Sequence, residues 1–413
     1  MNTRRTFIKQ IGATGAASLV ALGTRPHALF ANAAKDAKAD ADGRILVLVQ
    51  LAGGNDGLNT VVPFGDDVYH RLRPSLGMGK GGVLPLNDTL GLHPVMQGFK
   101  ELFDEGALGI VQGVGYPNPN RSHFRSMDIW HTAKPGVIDK RDGWLGRAFD
   151  ASAGTLAGKV PAVAFGTNRL PLALVSTKFT VPMVRSLKDY QLELGNGPKA
   201  EREEQRRRMR QLAARNRTGN TELDFLRRTA VTALDTSKKI AEVISDYKPA
   251  TPYPQFGLAQ RLKSVAQLIT ADLGARVYFV SLDGFDTHAE QKGAHAGLMN
   301  ELSASLSAFY NDLKEHGLGK RVTTATFSEF GRPVKENGSL GTDHGAASQM
   351  FLIGDAIKAG LHGKHPDLTD LTGGAPKHHT DFRSVYTSLL EDWLNWPAEA
   401  AVGGNFKKPR LFA

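Results

Sequence analysis

Acids and histidines recur in this sequence beside short apolar runs. Asn55-Asp56 follows Arg44 to Leu51, and Asp283-Gly284-Phe285-Asp286-Thr287-His288 follows Val277 to Leu282. Ser328-Glu329-Phe330-Gly331-Arg332 follows Val322 to Phe327, and Gly341-Thr342-Asp343-His344-Gly345 comes just before Met350 to Gly354. Asn120-Arg121-Ser122-His123-Phe124 lies in the segment after Leu108 to Gly113. Carboxylates and imidazoles drawn from several strand ends make the donor set of a divalent metal, zinc or manganese more than calcium. Each piece has an ordinary reading too. Asp56 can satisfy turn amides, Asp286-Thr287-His288 can cap a helix, Glu329 can pair with Arg332, and Asp343-His344 can form a turn. Acids at four separate strand ends weigh against four unrelated reasons and point to a shared site.

Ser122 stands between a loop, Gly115 to Ser122, and a helical pattern from His123 to Trp130. It suits an N-cap, whose hydroxyl accepts from the first helical amides. It equally suits a nucleophile, because the helix dipole and unpaired amides favour an alkoxide and an incoming anion. Arg121 and Arg125 would match a phosphoryl or sulfuryl group, or ordinary surface pairing.

The elements that must carry these residues alternate. Arg44 to Leu51, Leu108 to Gly113, Ala162 to Phe165, Val277 to Leu282, Val322 to Phe327 and Met350 to Gly354 read as buried strands. Helical patterns fall at Val95 to Glu105, Leu258 to Leu273 and Gly293 to His316. The expected fold is α/β: a doubly wound, mostly parallel sheet with helices on both faces. Ligands of such sheets sit at the carboxyl ends of the strands. Residues 186–250 break the rhythm and read as a helical insertion. Its basic cluster, Glu201 to Arg208, is interleaved with acids and fits a solvated helix face better than a nucleic-acid patch.

The 413 residues include no cysteine, which excludes disulfides, cysteine-zinc sites and cysteine nucleophiles. Thr3-Arg4-Arg5-Thr6-Phe7-Ile8-Lys9, an apolar stretch from Ile11 to Leu22 and Ala31-Asn32-Ala33 have the order of a twin-arginine signal peptide, residues 1–33. A flexible leader over 34–43 and one domain over 44–413 would follow. The apolar stretch is too short for a stable membrane span. The net charge of +10 owes four basic residues to the signal segment. The expectation is an exported, periplasmic or secreted protein whose partner in transit is the twin-arginine machinery.

The order of these features, with the phrases LAGGNDGLNTVVP, NRSHFRSMDIW, SLDGFDTH, FSEFGR and TDHGAA, resembles a family of exported bacterial proteins, domain of unknown function 1501. That family in turn resembles the alkaline phosphatase–sulfatase superfamily. The resemblance runs from about Arg44 to Trp393. It implies an alkaline phosphatase-like fold, one or two divalent ions (zinc, manganese or calcium) and transfer of a phosphoryl or sulfuryl group to a serine. By position, Asp56 would be the first-strand ligand and Ser122 the nucleophile, with Arg121 and Arg125 steadying the anion. Asp286, His288 and His344 would hold metal, and Glu329 would replace the usual aspartate of an Asp-His pair. An alternative alignment makes Asp343-His344 that pair and takes His378 or His379 as the last ligand. The sequence departs from the superfamily in spacing Asp286-Thr287-His288 tightly and in placing Phe330 after Glu329. Two functions follow: a metal-dependent hydrolase of small or polymeric anionic esters, or a non-catalytic binding protein with a degenerate metal site.

Overall fold

The apolar run beginning after Arg44 forms strand β1 (Ile45–Ala52). Its side chains alternate between two cores: Val47, Val49 and Leu51 enter one, Leu46 and Leu48 the other. A strand covered on both faces has no polar side to show, hence the near-continuous hydrophobic run. Leu46, Val47, Leu48 and Val49 are wholly buried, each stabilising the fold by roughly 1.5–3 kcal/mol relative to exposure.

The computed structural model describes residues 43–136, 141–156, 159–167, 169–184, 187, 201, 204, 207–208, 211, 247–272 and 274–413. The expected signal segment, nearly all of the leader and nearly all of the 186–250 insertion lie outside these residues. Within the insertion, Glu204 pairs with Arg207 at 2.6 Å and Arg208 at 3.0 Å, as interleaved charges on an exposed surface do.

Eight further strands join β1: β2 (Leu108–Gly115), β3 (Ala162–Phe165), β4 (Met183–Val184), β5 (Val277–Asp283), β6 (Val322–Phe327), β7 (Ser348–Ile353), β8 (Gly360–His362) and β9 (Thr380–Asp381). Their order is β8-β2-β7-β6-β1-β5-β3-β4, with β9 also paired to β2. The longer α-helices are α1 (Gln97–Asp104), α2 (His123–Thr132), α3 (Trp144–Ala151), α4 (Gly257–Thr270), α5 (Gln291–Glu315) and α6 (Phe382–Ser388). Phe99 of α1, Leu262 of α4 and Leu306 of α5 fill one core. Trp130 of α2, Phe149 of α3 and Tyr386 of α6 fill the other, where Trp144 stacks on Tyr386 with ring centroids 4.0 Å apart. The fold is α/β, with a mostly parallel sheet covered on both faces.

β1, β2, β3, β5, β6 and β7 and the helices α1, α2, α4 and α5 fall where the apolar runs and helical patterns put them, whereas α3 and α6 are not anticipated. The two- and three-residue strands β4, β8 and β9 carry no period to read. One strand departs from the parallel scheme: β7 is antiparallel to both β2 and β6. This reversal matters for the site. The segment that leads into β7, including Asp343 and His344, starts from the edge where β1, β2, β5 and β6 end.

At that edge the turn after β1 closes onto the turn after β5. Gly53 has φ +120°, and a Cβ placed on it would sit 2.4 Å from the Asp286 nitrogen. Gly54, at φ +78°, lies against the Phe330 ring. Only residues without a Cβ allow both the positive φ and this approach. Gly53→Ala should destabilise the protein by about 1–3 kcal/mol, seen as a lower thermal midpoint. An unchanged midpoint would show that the two turns can part freely.

Candidate metal centre

Four polar side chains from three segments converge at this edge. Asp286 follows β5, and its Oδ1 lies 3.0 Å from His288 Nε2, 3.2 Å from His344 Nε2 and 3.3 Å from His123 Nε2. His288 Nε2 and His344 Nε2 are 2.8 Å apart. His288 shares the loop of Asp286, His344 precedes β7, and His123 is the first residue of α2.

For two of the three rings, the far side fixes the tautomer. His344 Nδ1 is 2.7 Å from the Arg121 carbonyl, which can only accept, so Nδ1 carries the hydrogen. His123 Nδ1 is 2.9 Å from Glu329 Oε1. Glu329 is buried, and the same Oε1 accepts from Gly53 N at 2.8 Å, so it is an acceptor. His123 therefore donates from Nδ1 as well. In their neutral forms both rings turn Nε2 lone pairs toward a carboxylate oxygen. Lone pairs facing an anion repel unless a proton or a cation lies between them. Imidazoles backed by a carboxylate or carbonyl are the usual arrangement around a bound metal.

The electrostatics agree. Partial burial alone would raise the Asp286 carboxyl, but the hydrogen bond from Arg332, with the imidazoles beside it, holds it below its ordinary value. Burial depresses His344, which favours the neutral ring. Phe330, itself buried, packs 4.9 Å from the His123 ring and 4.8 Å from the His344 ring, centroid to centroid. It forms a wall that keeps both rings in place. The donors fit a divalent ion: nitrogen ligands on zinc at about 2.0–2.1 Å lie about 3.3 Å apart, close to these spacings. His123, Asp286 and His344 each offer an atom within 4.8 Å of the others.

The remaining sequence candidates fall elsewhere. Asp56 takes other partners. Its Oδ2 is 2.6 Å from Arg73 Nη1, with both side chains fully buried, and 2.5 Å from Gln291 Nε2. Burial would raise this carboxyl, but Arg73, then His295 and Gln291, hold it below the usual range. The expected first-strand ligand is thus committed to an ion pair, with a partner 17 residues away that no local pattern marks. Glu329 stands behind His123 rather than beside it. Asp343 is largely exposed and approaches His288 Nδ1 at 3.5 Å from the rim.

Ser122 caps α2 in position only: its hydroxyl makes no capping bond, and its amide donates to Asn120 Oδ1 at 2.9 Å. It is exposed and adjoins His123 in the chain. Both neighbouring arginines turn to the main chain. Arg121 Nη2 donates to the Thr372 and Gly373 carbonyls at 2.7 and 2.8 Å, and Arg125 Nη2 donates to Pro135 O at 2.9 Å. His123, which the sequence reading set at a helix start without a metal role, is the residue it missed. Its one signal was a third histidine in a segment that follows a strand.

The family model described as "Protein of unknown function (DUF1501)" matches residues 44–390. The chain belongs to that family. No curated protein matches it in sequence. Among solved structures it is similar to the lipoteichoic acid synthase LtaP from Listeria monocytogenes, at 8% identity over 78% of this chain and 68% of that one, TM-score 0.35. It is similar to the C-terminal periplasmic domain of EcEptC from Escherichia coli, in complex with Zn, at 10% identity over 76% and 73%, TM-score 0.36. A third is the PsFucS1 sulfatase from Pseudoalteromonas sp., at 13% identity over 94% and 77%, TM-score 0.37. At these scores no site residue is carried across.

Beneath the cluster lie two more imidazoles. His295 Nε2 is 3.1 Å from Asn55 Oδ1, and the His93 ring meets it edge to face at 5.8 Å. Burial depresses both from 6.5 to about 4. Unfolded, they take up protons near pH 6.5, whereas folded they stay neutral until about pH 4. Their contribution to stability is therefore complete above about pH 6.5 and is lost as the pH falls from there toward 4. In metal-stripped protein, the urea midpoint should fall steadily between pH 7 and pH 5. A midpoint that stays constant over that interval would contradict neutral burial.

Proposed function

We propose that this protein is an exported, metal-dependent hydrolase of phosphate or sulfate esters, with a divalent ion held by His123, Asp286, His288 and His344. The observation that carries the reading is the set of imidazole lone pairs aimed at one carboxylate oxygen. The sequence resemblance supplies the reaction class. A divalent ion in such a site supplies Lewis acidity, which favours negative charge on nearby oxygens. The protein's own groups do the rest. Glu329 and the Arg121 carbonyl hold the Nδ1 hydrogens and so keep Nε2 available. Arg332 keeps Asp286 ionised. Ser122, exposed at the start of a ten-residue helix, is the nucleophile. The first amides of α2 precede that helix's own hydrogen bonds and favour an anion there. Export by the twin-arginine route, to the periplasm or beyond, rests on residues 3–33. Among the described residues no helix is long and apolar enough to cross a membrane.

One observation favours the second reading, a non-catalytic binding protein with the same metal centre. Arg121 and Arg125, expected to steady the substrate anion, each bond main-chain carbonyls. Turnover decides between the two. Mature protein should carry near-stoichiometric metal by elemental mass spectrometry, lost in His344→Ala, and should hydrolyse an aryl phosphate or aryl sulfate. Ser122→Ala should abolish hydrolysis, by at least about a hundredfold, while its metal content stays unchanged. Metal without turnover on any ester would support the binding protein. A wild type still empty after incubation with excess zinc or manganese would rule out both.

A further inference from the structure

Gln291, the first residue of α5, is fully buried, and its amide makes three side-chain hydrogen bonds. Oε1 accepts from Thr287 Oγ1 at 3.1 Å and from Thr342 Oγ1 at 2.6 Å. Nε2 donates to Asp56 Oδ2 at 2.5 Å. Thr287 lies between Asp286 and His288, and Thr342 lies two residues before His344. A single amide therefore joins both loops that bring these groups to the candidate centre. The main chain repeats the join: Thr342 N donates to Thr287 O at 3.3 Å, and Gln291 N donates to Leu340 O at 2.9 Å.

The chemistry leaves little choice of residue. Asp56 Oδ2 only accepts, so the nitrogen of the side chain must face it, and the oxygen must face the two hydroxyls. A glutamate here would set a second buried carboxylate against Asp56. An aliphatic side chain would leave the Thr342 hydroxyl buried without its acceptor. Asp56 is itself fixed by Arg73, whose other donors go to Asn59 Oδ1 at 2.7 Å, Val334 O at 2.9 Å and Pro333 O at 2.7 Å.

We infer that Gln291, anchored on the buried Asp56–Arg73 pair, is a positioning residue that sets the spacing of Asp286, His288 and His344 and so the affinity of the centre for a divalent ion. This inference rests on the metal-centre reading. It gives Asp56 a role in the centre without contact with the ion.

The test is zinc titration by calorimetry and cobalt(II) titration by visible absorption on the full mature chain, with the melting of metal-free protein measured alongside. Gln291→Met, close in volume, should weaken zinc binding about 10–100-fold, the range for residues that orient metal ligands. It should also shift the cobalt(II) bands. Thr342→Val keeps the bonds to Thr287 and Asp56 and should weaken binding by a smaller factor. A purely structural role would lower melting and leave affinity and spectrum alone, which would overturn the inference while leaving the metal centre intact. If Gln291→Met does not fold, Thr342→Val decides by the same two readouts. Failure of the wild type to bind either ion would remove the metal centre, and this inference with it.

Discussion

The guanidinium of Arg332, fully buried, ties together the turns from which the site is built. Nε donates to Gly54 O at 2.6 Å, and Nη1 donates to Thr342 O at 2.8 Å. Nη2 reaches Gly53 O at 2.5 Å, Phe285 O at 2.8 Å and Asp286 Oδ1 at 3.0 Å. One planar cation thus holds the ends of β1 and β5 and the segment before β7 in a common frame. Burying a cation is costly unless its donors are satisfied. Here carbonyls of three separate loops do so, and the loops lose their freedom to move apart. A lysine could not replace it, because a compact ammonium cannot span this set of carbonyls.

Arg73 repeats the device a layer further in, on Asp56, Asn59 and the carbonyls of Pro333 and Val334. Arg332 belongs to the loop between Phe330 and Val334, Arg73 bonds the carbonyls at the end of that loop, and each reaches across to the turn that follows β1. Such pairs are weak as sources of stability, since desolvation offsets most of the attraction. Their effect is geometric: an arrangement in which either turn moved would leave a buried charge without its partners. The glycines at 53 and 54 complete the frame by letting the turns meet without side chains between them.

Much of the fold was legible in the sequence. Strands covered on both faces appear as near-continuous apolar runs, and β1 and β5 carry that signal. The acids and histidines after them were legible because an α/β sheet delivers its loops to one edge. What could not be read was direction. Nothing in the sequence says that Asp56 turns inward to Arg73, that Arg121 and Arg125 bend to carbonyls, or that Glu329 faces an imidazole instead of an ion. Those outcomes depend on which neighbour lies within a few ångströms across separations such as the 206 residues between His123 and Glu329. His123 itself was hidden by its place at the start of a helix, where a polar residue has an ordinary explanation.

The reversed strand β7 also bears on when the site can exist. His344 meets its carbonyl partner across 223 residues and His288 across 56, and β7 inserts between β2 and β6, far apart in the chain. Contacts of such separation form late, after the entropy of closing long loops has been met. The donor cluster is therefore a property of the completed sheet and has no counterpart in a partly folded chain. An ion that binds only the finished arrangement stabilises it by mass action, and so acts as a latch on folding that closes last.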